Sequence, residues 1–321
     1  MHHLAQDGFC KNVPVLFNIM KASTQADTAF FLHLPKTGGS TIRTLINANY
    51  DSLELLSLYG SQPEIFNQCM ATTRLQRQQL KLIQGHMPYG VHDYLGLSGQ
   101  RYFFFLREPV ARTLSDIEHS RRHPSHGFHH ILSAPELDLA GRIEKAKSLC
   151  YYHNNMTHFL SGTFFTRDVT LTDFHLALSR VRQSEFIGIT EQSELSLLLM
   201  AKRLGWKEVI PVKCNVSPSE TSNMVEDNRA SCRSMLDYDI QLYHAALERF
   251  EQEVSAQGQL LIEAAQQMTE LLQRQEADYP EIKYSTYMVG QPLAIELNQY
   301  HQQIASDDPL GRWLQIEQVN E

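Results

Sequence analysis

Phe30-Phe31-Leu32-His33-Leu34-Pro35-Lys36-Thr37-Gly38-Gly39-Ser40-Thr41-Ile42 decides the fold of this 321-residue chain. Phe30 to Leu34 is a short, mostly apolar run ended by a proline, which predicts a buried parallel strand. From Ser40 onward, Ile42, Leu45 and Ile46 fall on one face of a helix. Between strand and helix stand a lysine, two glycines and the hydroxyls of Thr37, Ser40 and Thr41. Glycines let the backbone approach an anion closely, and the amides and dipole of a helix N-terminus favour negative charge. Lys36, Thr37, Gly38, Gly39, Ser40 and Thr41 are therefore expected to cradle a phosphate-like group. The order differs from G-x-x-x-x-G-K-[ST], because Lys36 precedes the glycines instead of following them.

Outward from this stretch, short apolar runs alternate with helical patterns. Strands are expected at Leu80 to Gln84, Arg101 to Leu106 and Glu185 to Thr190. Helices are expected over 50–80, with Ser61-Gln62-Pro63-Glu64 as a start signal, and from Pro109 to His119 with proline in the first turn. Further helices are expected near 136–150 and 152–160, from a Thr172 cap to Gln183, from Glu191 to Leu204, and from Met235 to Ala277 with a break at Gly258. Residues 120–135 and 205–232 read as loops. This alternation predicts an α/β fold, a P-loop-like parallel sheet flanked by helices, with a helical C-terminal extension. The expected organisation is a lead-in over 1–27, one domain over 28–250 and the extension over 251–321. Apolar residues from Phe250 to Leu272 recur at helical spacing, which suits a face buried on the core, with a homodimer seam as the alternative.

A formal charge of −8 argues against a nucleic-acid partner, whose electrostatic footprint is basic. No run reaches the ~18 apolar residues of a membrane span. Val13 to Met20 is interrupted by Asn18 and has no basic segment before it, so it does not read as a signal peptide. The five cysteines are scattered and form no C-x-x-C pair, which suits a reduced compartment and a cytoplasmic location.

Two more stretches carry chemistry. In Phe104-Phe105-Leu106-Arg107-Glu108-Pro109 a strand delivers Arg107 at its carboxyl end, and Ser115 stands about two turns into the next helix. An arginine fork with a hydroxyl suits a phosphate. A kinase would be expected to show an acidic magnesium ligand at such a strand end, and this one offers arginine. In Leu82-Ile83-Gln84-Gly85-His86-Met87-Pro88, His86 would reach the same sheet edge. Its ordinary pKa of about 6.5 suits a general base. Among the fifteen histidines, His33 and His153 are its nearest rivals. The run His119 to His130 invites a metal reading, but Pro124 and Gly127 interrupt the helical presentation such a site needs, and an acceptor-binding loop, partly cationic below neutral pH, is expected instead.

Together these stretches resemble the sulfotransferases that use 3′-phosphoadenosine 5′-phosphosulfate (PAPS) and release 3′-phosphoadenosine 5′-phosphate (PAP). Leu34-Pro35-Lys36-Thr37-Gly38-Gly39-Ser40-Thr41 is most similar to the branch of heparan sulfate 2-O- and 6-O-sulfotransferases and their bacterial relatives. The resemblance spans roughly 28–250, with weaker likeness at 154–162, 186–191 and 213–219. It implies that Lys36 to Thr41 hold the 5′-phosphosulfate, that Arg107 and Ser115 hold the 3′-phosphate, and that His86 with Lys36 carries catalysis without a metal ligand set. The acceptor implied is a hydroxyl of a carbohydrate or another small alcohol, and the −8 charge weakens the case for a long, strongly sulfated polymer. Glu108 departs from the aspartate the family often places there. The alternatives are an ATP- and magnesium-dependent phosphotransferase, or a non-catalytic nucleotide-binding protein on the same fold.

Overall fold

Five parallel strands make one sheet in the order β2-β3-β1-β4-β5. They are β1 (Ala29–Leu32), β2 (Leu55–Leu58), β3 (Leu82–Gly85), β4 (Arg101–Leu106) and β5 (Phe186–Ile189) in a computed structural model that describes residues 28–98, 101–163, 165, 167–211, 226–278 and 302–315. Central β1 is buried along its whole length, with Ala29 beside Leu82 on one side and Arg101 on the other. Strands covered on both faces read as continuous apolar runs, and Phe30-Phe31-Leu32 and Tyr102 to Leu106 are such runs. From β1 the chain runs to the β2 edge, returns beside β1 as β3, and only then crosses to β4 and β5. Connections therefore diverge between β1 and β4, and in open α/β sheets that divergence opens a crevice beyond the carboxyl ends of the strands.

After β1 comes α1 (Gly39–Asn49), which buries Ile42, Leu45 and Ile46 as their spacing predicts. The expectation of helix over 50–80, with a start at Ser61 to Glu64, is corrected for its first part: β2 lies there, an edge strand with Ser57 exposed, followed by α2 (Gln62–Ala71) and α3 (Arg74–Gln79). The Ser61 start signal is a capping box with Glu64. After α4 (Val91–Leu95) and β4, α5 (Pro109–Arg122) opens on Glu108, whose carboxylate accepts from the amides of Val110 and Ala111. The loop expected over 120–135 is shorter than foreseen, because α5 runs to Arg122 and α6 (His129–Leu132) follows.

Next come α7 (Leu139–Lys147), a 3₁₀ turn at Cys150–Tyr152, α8 (Asn155–Ser161) and α9 (Leu171–Gln183). The cap of α9 is Thr170, not Thr172, since Thr170 and Asp173 form the reciprocal box. Beyond β5 lie α10 (Ser193–Leu204), α11 (Glu226–Arg233) within the expected 205–232 loop, α12 (Asp237–Gln257), α13 (Gln259–Asp278) and α14 (Pro309–Gln315). The 213–219 likeness and the 1–27 lead-in lie outside the described residues. Phe250, Leu261, Ala265, Met268, Leu272 and Trp313 join the same hydrophobic cluster as the sheet, so the apolar face of α12 and α13 is taken up within the chain. Among the described residues no helix is long and apolar enough to cross a membrane.

Two helix N-termini cap each other beneath α5. Asn154, in the left-handed region at φ 46°, accepts from the amides of Tyr238 and Asp239 in the first turn of α12. In return the buried Asp239 carboxylate accepts from the amides of Met156 and Thr157, at 3.0 and 2.8 Å, in the first turn of α8. Each cap satisfies donors that a buried helix end would otherwise leave orphaned. The exchange ties the start of α8 to the start of α12.

Candidate active site

The loop after β1 is tied by its own side chain and by two donors from neighbouring strand ends. Thr37 is buried, and its hydroxyl donates to the Leu34 carbonyl at 2.9 Å. What Thr37 offers a ligand is therefore its backbone amide. Lys36 sits at φ 67° and Gly38 at φ 83°. Glycine tolerates that region freely, but a lysine there is strained and is held by its surroundings. Arg107, just past β4, donates from Nη1 to the Lys36 carbonyl at 3.1 Å. The Thr190 hydroxyl, just past β5, lies 3.0 Å from the Thr37 carbonyl and 3.0 Å from that of Leu106. Gly39 starts α1 against the ring of His33: a Cβ there would overlap His33 Nε2, so a larger residue would have to displace that ring. Gly38 supplies no side-chain cap and the first turn of α1 holds no acid, leaving the positive helix end to an anion.

His86 follows β3, next to β1, and its ring is half-buried. Its Nδ1 lies 2.6 Å from the His33 carbonyl oxygen. A carbonyl can only accept, so Nδ1 carries the hydrogen and the lone pair resides on Nε2. This is the tautomer a general base requires. The rings of His33 and His86 stand 4.3 Å apart between centroids, with Tyr59 edge-on to His86 at 5.0 Å and the Tyr59 hydroxyl 3.0 Å from His33 Nδ1. Arg43 of α1 lies over the Tyr59 ring. Burial holds His33 well below the ordinary histidine pKa, helped by the charges of His86, Arg43 and Lys36. Burial lowers His86 as well, against the opposing effects of its carbonyl bond and of Asp116.

Lys36 is depressed by burial, while Asp116 pulls the other way and Arg122, Arg107 and Arg112 push further down. Asp116 is itself buried on α5 and pairs with the fully buried Arg112 at 3.2 Å, so a carboxylate supports the cationic site from beneath. Ser115, His119 and Arg122 share one face of α5 by their spacing, and Ser115 is half-buried. Lys36, His86 and Arg107 thus leave the carboxyl ends of three adjacent strands, at the divergence between β1 and β4. The donor set of lysine, arginine and helix amides suits a ligand bearing phosphate-like anionic groups.

The rival His153 lies elsewhere, with Nε2 donating to the Lys147 carbonyl at the end of α7. The histidine-rich segment folds back on α5: His129 Nδ1 donates to the Ser120 carbonyl at 3.0 Å, and His126 accepts from the Phe128 amide and lies 3.4 Å from the Ser120 hydroxyl. Burial pushes His119 down to about 3 and lowers His123 and His126, with the charge of Lys36 acting the same way on all three. Among the described residues no three His, Cys, Asp or Glu side chains gather as a metal site needs.

Sequence reading passed over Tyr59, Arg43, Asp116 and Thr190. Tyr59 was hidden with β2. Thr190 closes the strand expected from Glu185 to Thr190, and that position at a strand's carboxyl end is the signal available.

No protein-family model matches the chain, and no curated protein matches it. Among solved structures it is similar to a crystal structure of mouse sulfotransferase SULT7A1 complexed with PAP, at 14% identity and a TM-score of 0.32. The match covers 64% of this chain and 64% of that one.

Proposed function

We propose that this chain is a sulfotransferase that moves a sulfuryl group from PAPS to an acceptor hydroxyl. The observation that carries the reading is the convergence of Lys36, His86 and Arg107 from adjacent strand ends, with His86 held in the tautomer that leaves Nε2 basic. When bound, PAPS supplies the sulfuryl group. Lys36 and the amides from Thr37 to Ser40, with the Thr41 hydroxyl, would hold its 5′ end, and Arg107 with Ser115 its 3′-phosphate. His86 Nε2 takes the acceptor's hydroxyl proton as the oxygen bonds to sulfur. Lys36 stabilises the charge that gathers on the leaving phosphate oxygen. Positioning and electrostatics thus carry the rate. The pattern from Leu34 to Thr41 favours the heparan sulfate-type branch, whose acceptors are sugar hydroxyls.

Thermal stability with PAP, compared with ATP in the presence and absence of magnesium, tests the nucleotide. A ligand at ~100 times its dissociation constant adds roughly 2.7 kcal/mol, an easily read shift. Stabilisation by PAP without metal is expected, followed by label transfer from PAPS to a member of a sugar and alcohol panel. Stabilisation by ATP with magnesium alone would replace this reading with a phosphotransferase. PAP binding with no transfer to any acceptor would favour a nucleotide-binding protein.

A further inference from the structure

Two consecutive carbonyls of the loop, those of Lys36 and Thr37, are each held by a side chain from another strand end. Because a trans peptide is planar, the amide of the next residue points opposite to each carbonyl. Fixing the Thr37 carbonyl therefore aims the Gly38 amide, and fixing the Lys36 carbonyl aims the Thr37 amide. Successive amides aimed to one side form an anion-binding concavity. The donor at Thr37 is Thr190, whose hydroxyl also reaches the Leu106 carbonyl, the residue before Arg107. The Thr190 methyl faces the open side of Gly38, 3.8 Å from where a Cβ would stand.

We propose that Thr190 is a positioning residue of this site, whose hydroxyl sets the direction of the loop amides and ties the loop to the strand end that carries Arg107. It touches neither sulfur nor acceptor in this role, and acts through the peptide it holds. The proposal rests on the nucleotide reading above for the identity of the anion, and on the geometry alone for the residue. Loss of the hydroxyl frees the Thr37 peptide to rotate, and both anion subsites lose their shared frame.

The test is PAP affinity and the KM for PAPS in full-length variants. Thr190→Val keeps the shape and removes the donor, and should weaken PAP roughly tenfold, with the loss falling on KM more than on kcat. Thr190→Ser keeps the donor and should restore both. Wild-type PAP affinity in Thr190→Val would overturn the proposal, as would a Thr190→Ser chain that behaves like Thr190→Val. Should Thr190→Val not fold, Thr190→Ser against Thr190→Ala decides between the same outcomes. If the wild-type chain binds inorganic pyrophosphate but not PAP, the nucleotide reading fails separately. The variants are then compared on pyrophosphate, where loss in Val and recovery in Ser supports Thr190. A wild-type chain that binds neither overturns both.

Discussion

Two groups of histidines flank Lys36, and they differ in how they are held. The rings of His33 and His86 lie tilted at 4.3 Å between centroids, and the bond from His86 Nδ1 to the His33 carbonyl leaves the lone pair of that ring on Nε2. The rings of His119 and His123 lie just as close and similarly tilted, at 4.0 Å near the end of α5, with His126 pinned back toward the Ser120 hydroxyl. Both groups feel Lys36, and burial lowers both. Proximity to the cation and a depressed pKa therefore do not mark a base. A defined tautomer at the strand edge does, because a proton acceptor must present its lone pair in a fixed direction.

The comparison breaks most visibly by mutation. His86→Ala should lower turnover by about 10²–10⁴ while PAP affinity stays within a few-fold, whereas His119→Asn should cost no more than a few-fold. A loss in His119→Asn equal to that in His86→Ala would move the base to α5. Lys36→Gly sharpens the contrast from the loop side. Turnover should fall roughly 10²–10³-fold as the cation is lost, yet thermal stability should rise by about 1 kcal/mol, because glycine relieves the strain at φ 67°. A Lys36→Gly chain no more stable than wild type would mean the backbone there is not strained.

The smallest expected effect is in pH dependence. His86 must be neutral to act, and its pKa is lowered, so the acid limb of kcat/KM should fall below pH 6.5. Stability should follow the same sign. For His119 the folded value is about 3 against an ordinary 6.5, so between these values the unfolded chain binds more protons. Its contribution is complete above pH 6.5 and is lost as pH falls through that window. Melting temperature measured from pH 7 to 4 should therefore decline less steeply in His119→Asn than in wild type.

Legibility in the sequence followed the range of the forces involved. The strand, loop and helix from Ala29 to Asn49 are legible because their determinants are local: an apolar run, a proline, paired glycines and helical spacing. Edge strand β2 is not, because Leu55 and Leu56 are half-exposed and Ser57 is exposed, so no buried pattern appears in Leu55-Leu56-Ser57-Leu58. The α9 cap was readable in principle, since Thr170 has an acid three residues on and Thr172 has His175. The extension of α5 to Arg122 had a signal too, since Pro124 stops a helix at or before the residue preceding it.

The sequence by itself determined the parallel α/β arrangement, the glycine-rich turn into α1 and the strand ends that carry Lys36, His86 and Arg107. Only the tertiary structure decided which nitrogen of His86 is basic and which way the loop amides face. The reason is separation along the chain. The His86 tautomer is set by a carbonyl 53 residues away, and the Lys36 carbonyl by an arginine 71 residues away. The Thr37 carbonyl is held by a hydroxyl 153 residues away, and no local pattern can encode a hydrogen bond that exists only once the sheet has formed.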